Sequence, residues 1–94
     1  MKDLTKKYFK KESSLVISEI DKEAIIYKAS SGVYFKTNQV GSYIFNILNN
    51  KISFSDILQK TSNNFEIIEK DISEDIKKFL FLAQKQELIE INDK

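Results

Sequence analysis

The order of apolar and polar residues predicts three short strands in the first part of the chain. Residues 15–20 (LVISEI) and 24–28 (AIIYK) are rich in β-branched residues, and the three charged residues between them are typical of a hairpin connection. The sequence ASSG then indicates a second turn, in which Gly32 can adopt a positive φ, and residues 33–37 (VYFKT) alternate as a third strand. Short strands joined by tight turns predict an antiparallel meander, which has two exposed edges.

Beyond the third strand, the apolar residues recur at helical spacing. Asn38 has the side chain of a good N-cap for a first helix, which is expected to end at Asn49 and Asn50. Ser53 and Asp56 have the spacing of a variant capping box at the start of a second helix. The polar residues 62–64 (SNN) are expected to stop that helix.

The third helix is predicted to be the longest, over residues 69–86, and its apolar stripe consists of Ile72, Ile76, Phe79 and Ala83. A strip beside that stripe carries an acid, a base and an apolar residue: Asp75, Lys78 and Leu82. Residues 88–91 (LIEI) are expected to form a terminal strand or an extended tail. These elements predict an α+β, winged-helix-like fold, with a three-stranded antiparallel sheet followed by three helices.

Length and charge then place the chain in a broad class. Its 94 residues suit one domain, and five lysines against two acids in residues 1–12 predict a flexible basic arm before a domain at 13–94. The formal net charge of +1 gives no strong overall attraction to nucleic acid or to an anionic membrane. The sequence contains neither a signal peptide nor a stretch of membrane-spanning length, so a cytoplasmic protein is expected.

Enzymatic chemistry finds little support in the composition. The chain has no cysteine and no histidine, so it lacks thiolate chemistry, the commonest general base and the commonest metal ligand. The carboxylates of Asp71, Glu74 and Asp75 have helical spacing, which is more typical of a solvated helix start than of a metal site. We therefore predict a binding module without catalytic activity, cofactor or metal.

Two alternative functions follow from the predicted fold and its exposed edges. A winged helix is often used on DNA, but the second helix carries Asp56 beside a single lysine and the chain has no arginine, the usual reader of guanine. A winged-helix nucleic-acid-binding protein is therefore kept as an alternative function, and no specific nucleic acid is expected as a partner. The other alternative is an assembly subunit of another complex, which would bind a different protein in the groove between an exposed strand edge and the third helix.

An ordered series of residues resembles the PqqD-like family. In that family a strand with aromatic residues is followed by an Asn at the start of a helix and then by a "VG" pair. The series consists of Ile25-Ile26-Tyr27, Gly32, Tyr34-Phe35, Asn38, Val40-Gly41, Ile44 and Phe45. It continues through the start of the second helix to the end of the third, so the resemblance covers residues 15–91. Three departures stand out: Thr37 replaces a usual leucine, Glu87 replaces a usual glycine, and Phe81 and Leu82 replace polar residues.

The resemblance implies a recognition element for ribosomally made precursor peptides. Such a module binds the leader of the precursor and presents the peptide to a maturation enzyme, which is a radical SAM enzyme, a leader peptidase or a cyclodehydratase. The leader is expected to dock as an added antiparallel strand, and the expected peptide-binding residues are Val33, Tyr34, Phe35, Lys36, Thr37, Asp75, Lys78, Phe79 and Leu82. A monomer or weak dimer is expected, because an exposed edge permits pairing between copies.

Overall fold

The strand and helix patterns fold into two small sheets and three helices in a computed structural model of the chain, which describes residues 7–10, 15–21 and 23–92. In chain order the elements are β1 (Lys7–Lys10), β2 (Val16–Ile20), β3 (Glu23–Lys28), β4 (Val33–Asn38), α1 (Gln39–Ile47), β5 (Ile52–Ser53), α2 (Phe54–Phe65), α3 (Glu69–Lys85) and β6 (Ile89–Asn92). The predicted α+β class, with a three-stranded antiparallel sheet followed by three helices, is confirmed.

Strand β3 lies at the centre of the larger sheet, between β2 and β4. Alternation along β3 buries Ala24, Ile26 and Lys28 on the side of the helices, whereas Ile25 and Tyr27 lie on the opposite face and are half-buried. Among the described residues, β2 and β4 each pair with β3 alone. The predicted meander with two free edges is therefore confirmed.

Both predicted N-caps are confirmed, and they explain why two helices start where they do. The side chain of Asn38 accepts a hydrogen bond of 3.0 Å from the Gly41 N–H, so β4 passes into α1 without a loop between them. The hydroxyl of Ser53 accepts a hydrogen bond of 3.2 Å from the Asp56 N–H at the start of α2. These local contacts fix the direction in which each helix leaves the sheet.

The end of α2 corrects the sequence prediction. Residues 62–64 do not stop the helix, which continues to Phe65. The reason is tertiary: the Phe65 ring packs edge-on against Tyr43 of α1, with the ring centroids 5.6 Å apart. Glu66 then ends the helix in the left-handed conformation (φ 57°), and its N–H donates to a carbonyl of the last turn. A packing contact therefore outweighs the helix-stopping tendency of the three polar residues.

The second sheet contains two strands, β1 and β5, that the sequence prediction did not include. Strand β1 pairs with β5 and with β6, so that Tyr8 lies opposite both Ile52 and Ile91. The flexible arm predicted for residues 1–12 differs here, because Lys7–Lys10 form a strand and Tyr8 packs against the hydrophobic core. The rest of that arm lies outside the described residues. The predicted terminal strand is confirmed as β6.

The core lies between the larger sheet and the helices, and α3 supplies much of it. The buried residues of α3 are Ile72, Ile76, Phe79, Leu80 and Ala83, which include the whole predicted stripe. They join Ile26 of β3 and Phe45 of α1 in one cluster, and this packing sets α3 at a fixed distance from β4. Within the part of the chain that the structure describes, none of the helices has the length and apolar character needed to cross a membrane.

Candidate functional site

The outer edge of β4 is a run of backbone groups without a partner strand. Within the described ranges, residues 33–38 pair with β3 on one side only. A strand directs alternate N–H and C=O groups to its two sides, so the groups on the side away from β3 remain open for hydrogen bonding. Such an edge can accept one more strand, either from another copy or from an extended peptide.

A groove of ≈ 250 Å³ lies between this edge and α3. Seven of the nine residues predicted to bind a peptide line it: Phe35, Lys36, Thr37, Asp75, Lys78, Phe79 and Leu82. The structure adds Asn38, Val40 and Gly41, which the sequence prediction left out of the site. These three residues join the end of β4 to the first turn of α1, and they close one end of the groove.

Two aromatic rings form the apolar floor of the groove. Phe35 of β4 and Phe79 of α3 pack edge to face, with their centroids 5.9 Å apart. Phe79 is buried and Phe35 is half-buried, so the pair contributes to the core and also offers apolar surface to the groove. This contact holds the strand and the helix together while leaving the strand edge open.

Gly41 allows the three elements to approach so closely. A Cβ atom at this position would clash with the Oγ1 atom of Thr37 and lie 3.0 Å from two ring carbons of Phe79. Any larger residue would therefore push α1 away from β4 or displace the floor of the groove. The sequence prediction did not assign Gly41 to the site, because no local pattern shows which residues it faces.

The part of α3 that forms the rim of the groove carries both charged and apolar side chains. Asp75, Lys78 and Leu82 are exposed and follow one another at helical spacing. Leu82 is 40% exposed, so it lies at the rim of the groove and not in the core. Among the described residues, neither Asp75 nor Lys78 forms an ion pair within the chain. One negative and one positive charge are therefore available to a ligand.

Two of the predicted residues lie outside the groove. Tyr34 is 70% exposed and stacks on Tyr27, with ring centroids 4.6 Å apart, on the face of the sheet turned away from the helices. Val33 begins β4 and is half-buried, but it is not part of the groove lining. Both can still contribute backbone groups to the strand edge. The Tyr34 side chain lies on the face away from α3, whereas Val33 lies on the same side of β4 as Phe35.

The chemistry of the groove suits binding of an extended chain. It offers an open strand edge, an aromatic floor, the aliphatic side chains of Val40 and Leu82, and one acidic and two basic side chains. In the described part of the chain, no cluster of three or more acidic, histidine or cysteine side chains suits a metal ion. Backbone groups that line up along a strand recognise another backbone, and flanking pockets select among its side chains.

Comparison with known proteins gives one family and one structural relative. The profile of the family described as coenzyme PQQ synthesis protein D (PqqD) matches residues 23–89. A solved structure described as TbiB1 in complex with the TbiA(beta) leader peptide superposes with a TM-score of 0.66 at 24% sequence identity, covering 84% of this chain and 92% of that chain. This likeness establishes a shared fold. No curated protein matches the sequence.

Proposed function

This chain belongs to the PqqD family, and from that premise we propose that it is a non-catalytic module that recognises the leader of a ribosomal precursor peptide. The leader adds to the free edge of β4 as an antiparallel strand and lies in the groove beside α3. The observation that carries the proposal is the open edge of residues 33–38 directly beside a groove with an aromatic floor. A relative of the same fold has been solved with a leader peptide, which supports this type of ligand.

Each part of the groove has a separate role in the proposal. The backbone of β4 supplies hydrogen bonds that do not depend on the leader's side chains. Phe35 and Leu82 provide apolar surface for an anchor residue of the leader. Asp75 and Lys78 face the leader from α3, and one charge pair with either residue fixes its register along the strand.

The energies of these contacts predict moderate affinity. About four backbone hydrogen bonds at a net ~1 kcal/mol each contribute ~4 kcal/mol. Two or three apolar anchors add ~1.5–3 kcal/mol apiece. Ordering a flexible leader costs ~1–2 kcal/mol for each residue whose backbone becomes fixed, which offsets much of this gain. The ordering cost of a segment of about five residues is similar in size to these gains, so moderate and not tight affinity is expected.

The proposed partner after the leader is a maturation enzyme. Because the module is proposed to be non-catalytic, modification or cleavage of the precursor falls to a radical SAM enzyme, a leader peptidase or a cyclodehydratase. The genes beside the one for this chain identify which class applies. Because precursors of this kind are made on ribosomes, the proposal places the module in the cytoplasm, as a monomer or weak dimer.

The test combines binding with amide hydrogen exchange. A fluorescently labelled leader, taken from the precursor encoded beside this chain, is titrated with the protein, and exchange is then compared with and without the leader. Strand addition predicts slower exchange for amides in residues 33–38, because their hydrogens become bonded to the leader. Binding without protection of these amides would show that the leader docks elsewhere, and the absence of binding would refute leader recognition.

A further inference from the structure

The face of the larger sheet turned away from the helices, here called the outer face, is rich in apolar side chains. The strand register places Val16, Tyr27 and Tyr34 in one row across β2, β3 and β4. Ile25 lies in the next row, and Ile20 lies at the far end of β2. A sheet that faces water on one side usually alternates apolar-in and polar-out, and this one departs from that pattern.

The exposure of these residues marks the outer face as an interaction surface. Val16 is 52% exposed, and Ile20 and Tyr34 are each 70% exposed. They make up half of the six large apolar side chains that are exposed in the described residues. A concavity of ≈ 820 Å³ covers the β2–β3 part of this face, more than three times the volume of the groove beside α3. Clustered apolar exposure of this kind is typical of a docking site.

Both charged side chains that line this concavity in the described residues are acidic. Asp21 and Glu23 line it, together with Ile20, Ile25, Ser18 and Gln39, and no basic side chain is among the described residues that line it. A complementary partner therefore presents lysine or arginine beside apolar side chains. An apolar surface with basic residues fits, whereas an acidic surface such as nucleic acid does not.

The outer face is continuous with the edge at which the leader is proposed to add. Successive side chains of a strand point to opposite faces, so half of the side chains of an added strand emerge on the outer face. They would lie next to Tyr34 and Lys36, which belong to this face of β4. A partner seated on the outer face would therefore contact the module and alternate residues of the bound leader together.

We propose that the outer face is the docking surface for the maturation enzyme, and that the enzyme recognises the module and its bound leader as one composite sheet. This inference rests on the proposed function and deepens it, because it explains how a module without catalytic groups directs an enzyme to loaded precursor. The enzyme binds the loaded module more tightly than the empty one, since the fourth strand enlarges the surface.

The test uses the full chain, the leader of the precursor encoded beside it and the maturation enzyme encoded with them. Leader affinity is first measured for each variant, and enzyme affinity is then measured by interferometry with and without saturating leader. Ile20→Ser is expected to weaken binding of the loaded module to the enzyme about tenfold, because an exposed isoleucine loses its apolar contact. Leader affinity is expected to stay unchanged, since Ile20 lies on β2, away from the leader edge.

A matched control variant and a charge variant test whether the effect on enzyme binding is specific to the outer face. Ile68→Ser removes an isoleucine of nearly equal exposure, 68%, at the start of α3, and it is expected to leave enzyme binding unchanged. Asp21→Asn with Glu23→Gln removes both acids of the concavity while keeping side-chain size. This double variant is expected to weaken enzyme binding and to reduce its dependence on salt.

The outcomes distinguish the two levels of the proposal. If the unaltered chain does not bind the leader, the proposed function fails and this inference fails with it. If the leader binds but Ile20→Ser leaves enzyme affinity unchanged, or Ile68→Ser lowers it equally, the docking surface alone is refuted. Sedimentation that shows self-association of the unaltered chain, abolished by Ile20→Ser, would instead identify the outer face as a contact between copies.

Discussion

The ammonium of Lys28 donates a hydrogen bond of 2.9 Å to the main-chain carbonyl of Glu87, whose carboxylate lies 3.8 Å away. The Lys28 side chain is only 8% exposed, whereas that of Glu87 is 71% exposed. This contact joins the end of β3 to the turn after α3, where Glu87 adopts the left-handed conformation with φ 61°. A positive φ favours glycine at this turn, which fits the glycine that the family resemblance implies for this position.

The left-handed conformation of Glu87 leads to a stability prediction. Glu87→Gly and Glu87→Ala both remove the exposed carboxylate, but only glycine adopts φ 61° without steric cost. We expect Glu87→Gly to have a free energy of unfolding about 1 kcal/mol higher than Glu87→Ala, the lower end of the left-handed penalty. Urea denaturation of both variants measures the difference. Equal stability would show that the turn relaxes to a negative φ when the side chain is changed.

A buried hydroxyl in α2 provides a second stability prediction. Thr61 is fully buried, and its Oγ1 atom has no hydrogen-bond partner among the described residues. Thr61→Val keeps the shape of the side chain and removes the unsatisfied hydroxyl, so we expect the free energy of unfolding to rise by about 1 kcal/mol. Thr61→Ser keeps the hydroxyl and loses the methyl group, and it should destabilise the fold. A Thr61→Val variant less stable than the unaltered chain would show that the hydroxyl is bonded in solution.

Gly41 couples stability to the shape of the groove. Gly41→Ala places a methyl group against Thr37 Oγ1 and 3.0 Å from the Phe79 ring, and we expect it to cost about 1–3 kcal/mol of folding free energy. In a chain that also carries Thr37→Ala, the nearest obstacle is gone and the cost should fall by about 1 kcal/mol. Thermal unfolding of the four chains of this cycle measures the coupling. Additive effects would contradict a direct clash between the two residues.

The sequence predicted most accurately the features that depend on neighbouring residues. The Asn38 and Ser53 caps and the strand alternation of residues 33–37 act over a few positions, so they were visible in the pattern alone. Strand β1 was not visible, because its partners lie at Ile52–Ser53 and Ile89–Asn92, more than 40 residues away. The lysines of that segment favoured an arm, and only the fold shows that Tyr8 packs against the core.

The same distinction applies to the candidate site. Helical spacing placed Asp75, Lys78 and Leu82 on one strip, and the structure brings that strip to the groove. The sequence prediction assigned all of residues 33–37 to the binding surface and therefore included Tyr34. The alternation of the strand already placed Tyr34 and Phe35 on opposite faces. The approach of Gly41 to α3 depends on tertiary packing, which no local pattern contains.

Salt dependence separates a peptide ligand from a nucleic acid. The chain has no arginine and a formal net charge of +1, and the groove lining carries one acid and two bases. Between about 50 and 200 mM salt, we expect leader affinity to change by less than about threefold, whereas a protein with 6–10 phosphate contacts loses about 10³–10⁵. Titrations with labelled leader and with a random duplex provide the measurement. Tight duplex binding that falls steeply with salt would favour the winged-helix nucleic-acid function.

The sharpest prediction concerns the rim of the groove on α3. Lys78→Glu reverses the only basic charge that α3 contributes to the groove lining in the described residues, and Leu82→Ser removes its exposed aliphatic side chain. We expect each variant to weaken leader binding by about 1–2 kcal/mol, the scale of a lost, partly buried contact. Because both side chains are exposed, the folded state should tolerate both changes. Fluorescence titration of the labelled leader, with thermal unfolding of each variant alongside, measures the two effects separately.

The neighbouring residues on α3 supply matched controls for this experiment. Lys77 and Phe81 are exposed and adjacent in sequence to Lys78 and Leu82, but they line a different concavity, beside β1 and β6. Lys77→Glu loses an exposed ion pair with Glu74, which is worth less than about 1 kcal/mol, and Phe81→Ser removes more apolar surface than Leu82→Ser. Both controls should therefore bind the leader normally. If they weaken it as much as Lys78→Glu and Leu82→Ser do, the leader contacts the other face of α3, and loss of binding only in unfolded variants would assign Leu82 a role in stability.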